Sequence, residues 1–138
     1  MIKLKELIEL KSMVYSEEIK PKHKKKMNRS TPSFHEGIVL PKIQPPDNDS
    51  RVTVSELIEL SKIEENDAFA ESMDDVTKTF KPYTEKLGLY EYVEKVLKES
   101  VKYIMELKYH YNRPRPYQVA EFLNIDLNGS TMLDSMKT

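Results

Sequence analysis

Cysteine is absent from the 138 residues, which excludes disulfide staples, thiol nucleophiles and cysteine-based zinc or iron–sulfur centres while leaving the redox compartment open. Histidine is scarce: His23, His35 and His110 are the only imidazoles in the sequence. No window approaches the ~20 apolar residues that a membrane-spanning helix needs. The opening run Met1-Ile2-Lys3-Leu4-Lys5-Glu6 is interrupted by charge every few residues and lacks the apolar stretch and small-residue cleavage site of a signal peptide. A surplus of one charge sign is missing as well. With 22 basic against 23 acidic residues the net charge is −1, so no global field draws the chain to anionic lipid, and a nucleic-acid partner is not expected. These absences fit a cytoplasmic protein, or one assembled into a larger particle such as a virion. Apolar residues are also sparse, since 38% hydrophobic against 33% charged is lean for a self-sufficient core. A missing partner segment would account for that shortage.

What is present reads as helix. Leu4, Leu7, Ile8, Leu10, Met13 and Val14 repeat at helical spacing with Lys and Glu between them, so residues 1–18 are expected as an N-terminal amphipathic helix. Over 19–52 the composition shifts to Pro, Lys, Ser, Asn and Asp, and five prolines between Pro21 and Pro46 argue for an extended arm or linker. Inside it, Gly37-Ile38-Val39-Leu40 is a short apolar peg, and residues 19–50 as a whole are expected to wrap a protein partner. From Thr53, Thr-Val-Ser-Glu has the form of a capping box, and Leu57, Ile58, Leu60 and Ile63 supply the apolar face behind it. Residues 53–138 are then a helical region, expected to break at Pro82 and at Gly88. A long helix resumes at Tyr90, with Val93, Val96, Leu97, Val101, Ile104 and Leu107 in register. Pro114 is expected to end that helix at Arg113, and Pro116 to open a short one over Tyr117–Leu123.

Chemistry concentrates at the end of the long helix, in Lys108-Tyr109-His110-Tyr111-Asn112-Arg113-Pro114-Arg115-Pro116-Tyr117. A lysine is a flexible point charge and an arginine a planar fork of donors, so the two can hold the oxygens of a phosphoryl group from different directions. The prolines on either side of Arg115 restrict its backbone and present it from a stiff bend.

This run resembles the first signature of the type 2 phosphatidic acid phosphatase superfamily, which also contains the class A acid phosphatases and the vanadium haloperoxidases. The minimal Lys-x6-Arg-Pro pattern is met by Lys108, Arg115 and Pro116. The longer Lys-x-His-Tyr-x-Arg-x-Arg-Pro form adds His110, Tyr111 and Arg113. The resemblance implies an all-α fold, a helical bundle of the phosphatase/haloperoxidase kind, here with an extended Pro/Lys-rich arm. It implies a hydrolase acting on phosphate esters through a phosphohistidine. Lys108 and Arg115 would be the phosphate-binding residues, Arg113 and His110 accessory ones, and a phosphate ester or inorganic phosphate the ligand. No metal or other cofactor is implied, and vanadate enters only by analogy with the haloperoxidases.

Two parts of the pattern depart. The family's Pro-Ser-Gly-His run, which carries the general acid, and its Ser-Arg-x5-His-x3-Asp run, which carries the nucleophile, do not occur. Thr138 stands about where the first of them would begin, so the sequence reads as the front part of such a phosphatase. No catalytic residue is assigned within it, because loss of a nucleophile alone costs on the order of a millionfold in turnover. The alternative is a catalytically incomplete structural or interaction protein, such as a phage virion or assembly component.

Other clusters have plainer readings. Asp67, Glu71 and Asp74 could face a hard cation, but an acidic series is more often a solvated surface. Glu106 and His110 read as a local ion pair. The lysines between Lys20 and Lys26, with His23 and Arg29, could touch phosphate or nucleic acid, yet they lack interleaved aromatic rings.

Overall fold

The structure, a computed structural model, describes residues 3–29, 39–64, 66–74 and 76–127, apart from the side chains of residues 70, 71, 73, 74, 76 and 77. It is all-α: the described residues form α1 (Leu4–Ser12), α2 (Pro21–Met27), α3 (Arg51–Ser61), α4 (Asp67–Asp74), α5 (Val76–Lys86), α6 (Tyr90–Tyr111) and α7 (Pro116–Phe122), with no strand among them. The chain divides into two compact units that interleave in sequence. The first combines Met1–Glu17, Gln44–Asn66 and Tyr111–Thr138; the second combines Glu18–Ile43 and Asp67–His110.

An aliphatic centre holds the first unit. Leu10 of α1, Leu57 of α3, Val119 and Ala120 of α7, and Leu127 are buried against one another. Each large side chain taken fully out of water contributes about 1.5–3 kcal/mol, so this small cluster is the main apolar term of the unit. Polar contacts fix the elements around it. The last carbonyls of α1 are short of helical partners, as at any helix C-terminus, although the Leu10 oxygen takes the Met13 N–H at 3.2 Å. The buried Asn48 amide supplies them, donating to the Leu10 oxygen at 3.1 Å and the Met13 oxygen at 3.0 Å. Helix α3 begins at Arg51, earlier than the Thr53 start that the sequence suggests, because Ser50 is the N-cap and its Oγ accepts the Thr53 N–H at 3.2 Å. Thr53 is thereby drawn inside the helix and buried, where its hydroxyl donates to the Asp47 carbonyl at 2.8 Å.

The second unit is built differently. Helix α2 forms within the 19–52 segment expected to be extended. Pro21 stands at its first position, where a fixed φ and a missing N–H cost nothing. Pro82, expected as a break, lies inside α5. The helix runs on for one more turn to Lys86, and the chain turns off at Gly88, whose φ of +68° suits a residue without Cβ. There the Leu89 N–H reaches the Thr84 oxygen at 2.8 Å and the Gly88 N–H the Glu85 oxygen at 3.0 Å, the paired bonds of a Schellman turn. Asn124 closes α7 in the same way at φ 56°, with Ile125 bonded to Ala120.

Helix α6 is 22 residues long, yet none of its side chains is fully buried. Bonds at both ends pin α2 antiparallel along its C-terminal half. The Lys20 N–H donates to the Tyr109 hydroxyl at 3.2 Å, and two turns earlier on α6 the Lys102 ammonium donates to the Arg29 carbonyl at 3.0 Å. His23 is the one buried side chain among the described residues of this unit. No described helix is long and apolar enough to cross a membrane.

Candidate functional site

Lys108 lies in the last turn of α6 and belongs to the second unit, whereas Arg113, Arg115 and Pro116 belong to the first. The surroundings of the two halves of the signature are therefore distinct.

On the Arg115 side, the bend is built by Asn112 rather than by the prolines alone. Helix α6 stops at Tyr111, two residues before the expected Arg113, because Asn112 takes a left-handed φ of 44°. Asparagine tolerates that region better than most residues, since its short polar side chain finds local or nearby hydrogen bonds. Here the bonds go to residues 15 and 16. The Asn112 carbonyl accepts the Tyr15 N–H at 2.8 Å, its Oδ1 accepts the Ser16 N–H at 3.2 Å, and its Nδ2 donates to the Ser16 carbonyl at 2.8 Å. Pro114 is buried, and Arg115 takes an extended conformation as the N-cap of α7, where its N–H donates to Gln118 Oε1 at 2.8 Å.

Both arginines are engaged within this unit. The Arg115 guanidinium stands over the buried Tyr15 ring, 5.8 Å from its centroid, a cation–π arrangement. Arg113 Nη2 donates to Thr53 Oγ1 at 3.3 Å. A polar cleft of about 230 Å³ opens beside the bend, lined among others by Lys11, Asp47, Asn48, Asn112 and Arg113, with Arg115 outside its wall. The carboxylate of Asp47 and the carbonyl end of α1 give this cleft mixed sign.

On the Lys108 side the neighbouring residue carries the geometry. The Tyr109 hydroxyl, already accepting the Lys20 N–H, lies 2.6 Å from Nδ1 of His23, with the rings 5.7 Å apart. A hydroxyl has a single proton, and with an acceptor site occupied by Lys20 it is placed to donate that proton to an unprotonated Nδ1. Burial favours the neutral imidazole further. Desolvation first, then the charges of Lys108, Lys22, Lys26 and Lys20, lower the His23 pKa from 6.5 to about 4. His23 thus serves as a neutral anchor between α2 and α6, with no surface from which to attack a substrate. His110 stands exposed in the last turn of α6.

The sequence missed Asn112, Asn48 and the His23–Tyr109 pair. An Asn directly before Arg-Pro carried a signal for the first, as a residue suited to positive φ at a helix end. The partners of the other two lie 35–38 and 86 residues away, and no local pattern points to them. His35, Gly37, Ile38, Glu65 and Asp75 lie outside the described residues, as do the side chains of Glu71 and Asp74, so the acidic series falls partly beyond description. Among the described residues no group of three metal-ligating side chains converges. Comparison with protein-family models, with curated proteins and with solved structures finds no match to this chain.

Proposed function

We propose that this chain supplies the phosphate-binding side of a phosphatase resembling the type 2 phosphatidic acid phosphatase superfamily, with that superfamily's helical-bundle architecture. Its nucleophilic and acid histidines would come from residues outside this chain. The observation that carries the reading is the run from Lys108 to Pro116, with Lys108 in the last turn of a long helix and Arg115 held after a fixed bend. In this role Lys108 and Arg115 stabilise the charge that spreads over the equatorial oxygens as the phosphoryl group moves to histidine and then to water. Arg113 and His110 are accessory.

The test is direct binding of orthophosphate, and of vanadate as its analogue, followed by ³¹P and ⁵¹V resonance line widths. Lys108→Ala is expected to weaken both by roughly tenfold or more, as for loss of a charge-assisted contact. Unchanged binding sinks the assignment. In a polypeptide that also carries the two histidine signatures, the same change is expected to lower turnover strongly with the fold intact.

A second reading, an interaction or assembly component, rests on a separate observation. The second unit leaves Phe69, Phe80, Tyr83, Leu87 and Tyr92 largely exposed, more apolar surface than an isolated surface leucine would explain. Co-purification of the native protein with a particle, with crosslinks mapping to α5 and to residues 39–43, would favour it. Recovery as a free monomer would count against it.

A further inference from the structure

Exposed apolar side chains gather around the turn that joins α5 to α6 in the second unit. Phe80, Tyr83 and Leu87 recur at i, i+3 and i+7, one stripe of α5, and all three are exposed. Lys81 and Glu85 fall toward the other side of that helix, where they pair at 3.8 Å and the Lys81 ammonium stands 5.3 Å from the centre of the Tyr90 ring. The stripe is thus turned away from that contact. Past the turn, Leu89 and Tyr92 add further exposed apolar surface. The turn itself stands open, since a Cβ on Gly88 would meet no heavy atom within 4 Å. A lone surface leucine needs no explanation, but large apolar side chains so close together mark a contact surface.

The charges around the turn indicate what covers it. From Val76 to Glu99 the chain carries Lys78, Lys81, Lys86, Lys95 and Lys98 against Glu85, Glu91, Glu94 and Glu99. Lys81–Glu85, Lys95–Glu99 and Lys98–Glu94 are ion pairs within their own helices, and Lys78 is engaged as well. Among the described residues that leaves Lys86 and Glu91, both exposed and standing on opposite sides of Gly88, without an ion-pair partner. Arg29 reaches the Lys98 carbonyl at 3.4 Å, nearly two turns of α6 beyond Tyr92, and Phe69, close to Asp67 on α4, is no part of the patch. A partner of strong single charge finds little to hold on so balanced a rim. A copy of the same surface fits it. Two-fold pairing sets a patch against itself, so its charges must cancel within the patch, and one cation and one anion flanking its centre then meet crosswise. With a net charge of −1 the chain meets no general repulsion from its copy.

We propose that two copies of this chain associate through this surface, with a two-fold axis near the Gly88 turn. Leu87 and Leu89 lie at the centre, Tyr83 and Tyr92 around them, and Lys86 of each copy faces Glu91 of the other. The proposal rests on the reading of the chain as an interaction component and names its partner as a second copy. Tyrosine suits such a centre, because it covers a large area while few rotatable bonds are fixed. The described residues of the second unit bury His23 alone, and the second copy brings the opposing apolar surface.

The experiment is size-exclusion chromatography with light scattering on the whole chain over a concentration series. The mass is expected to rise toward twice 16.2 kDa. Tyr83→Ala/Leu87→Ala is expected to raise the dimer dissociation constant at least about tenfold, as for loss of central contacts, with helix content by circular dichroism unchanged because both side chains are exposed. Ile104→Ala, also exposed on α6 but far from the turn, serves as the control and is expected to leave the constant within about twofold. Charge reversal tests the crosswise pair. Lys86→Glu and Glu91→Lys are each expected to weaken association at least about threefold, and Lys86→Glu/Glu91→Lys to restore it to within about twofold. A chain that stays monomeric across the series, a dimer indifferent to Tyr83→Ala/Leu87→Ala, or single reversals that the double reversal does not rescue overturns the proposal. A monomer that crosslinks to a different protein through α5 overturns self-association while the interaction reading stands. A dimer with the expected sensitivities that never co-purifies with a particle upholds the self-contact and removes the larger assembly.

Discussion

The two units of this chain reach order by different routes. In the first, five aliphatic residues from α1, α3, α7 and Leu127 are withdrawn from water, and amide groups such as Asn48 and Asn112 complete the backbone bonding around them. In the second, the buried residue among those described is His23, the long helix α6 buries no side chain fully, and large apolar groups such as Leu87 and Phe69 stay 71% and 62% exposed. Local helix bonds, a Schellman turn and one buried histidine–tyrosine contact carry more of the order there. The contrast teaches that helix formation and core formation are separable. An amphipathic pattern is enough for the first, but the second needs an opposing surface of matching size, and the described residues of the second unit offer too little of one.

Substitution in the aliphatic core is expected to have the largest effect. Leu57→Ala, at a side chain 3% exposed, is expected to cost about 2–4 kcal/mol in denaturant unfolding, as for other leucine truncations in closed cores. The matching change Ile104→Ala on α6, 54% exposed, is expected to cost about 0.5 kcal/mol or less. Equal losses at the two positions would erase the distinction between the units. Next comes the polar anchor. Tyr109→Phe removes the hydroxyl that bonds both His23 and the Lys20 N–H, and the stranded buried groups are expected to cost about 1–3 kcal/mol. Amide exchange should accelerate across α2 and the end of α6 while the protection of α3 is unaltered. Faster exchange in α3 as well would mean that the units do not unfold independently.

The smallest effect is a pH dependence confined to the second unit. The folded state holds His23 at about 4 and the unfolded chain returns it to 6.5, so between those values the unfolded state binds a proton that the folded state does not. Stability is therefore full above the unfolded value, falls as the pH is lowered through the window, and levels off below the folded one. Near pH 5 the loss is about 1–2 kcal/mol after allowance for screening of the surrounding lysines. His23→Gln is expected to remove this slope, and a slope that survives the change would assign it to another group.

Much of this was legible beforehand. The all-α character, the long helix from Tyr90, Gly88 as a stop and Pro116 as a start follow from periodicity and from backbone restrictions that a residue carries with it everywhere. The errors were local rules overridden by context. Pro21 was read as a breaker when its position made it a first-turn residue, and Pro82 was absorbed inside α5. Thr53 was read as a cap although Ser50, three residues earlier, captures its N–H and leaves its hydroxyl for Asp47.

The candidate site divides along the same line. The residue types at 108, 113 and 115, and the stiffness between them, belong to the sequence, because charge, donor geometry and proline torsions do not depend on distant neighbours. Which groups stand around them was decided by tertiary structure alone. Arg115 over Tyr15, Arg113 on Thr53 and Lys20 against Tyr109 join residues 60 to 100 positions apart. Contacts across such separations form only when the helices that carry them pack, and no window of sequence contains the information that they will.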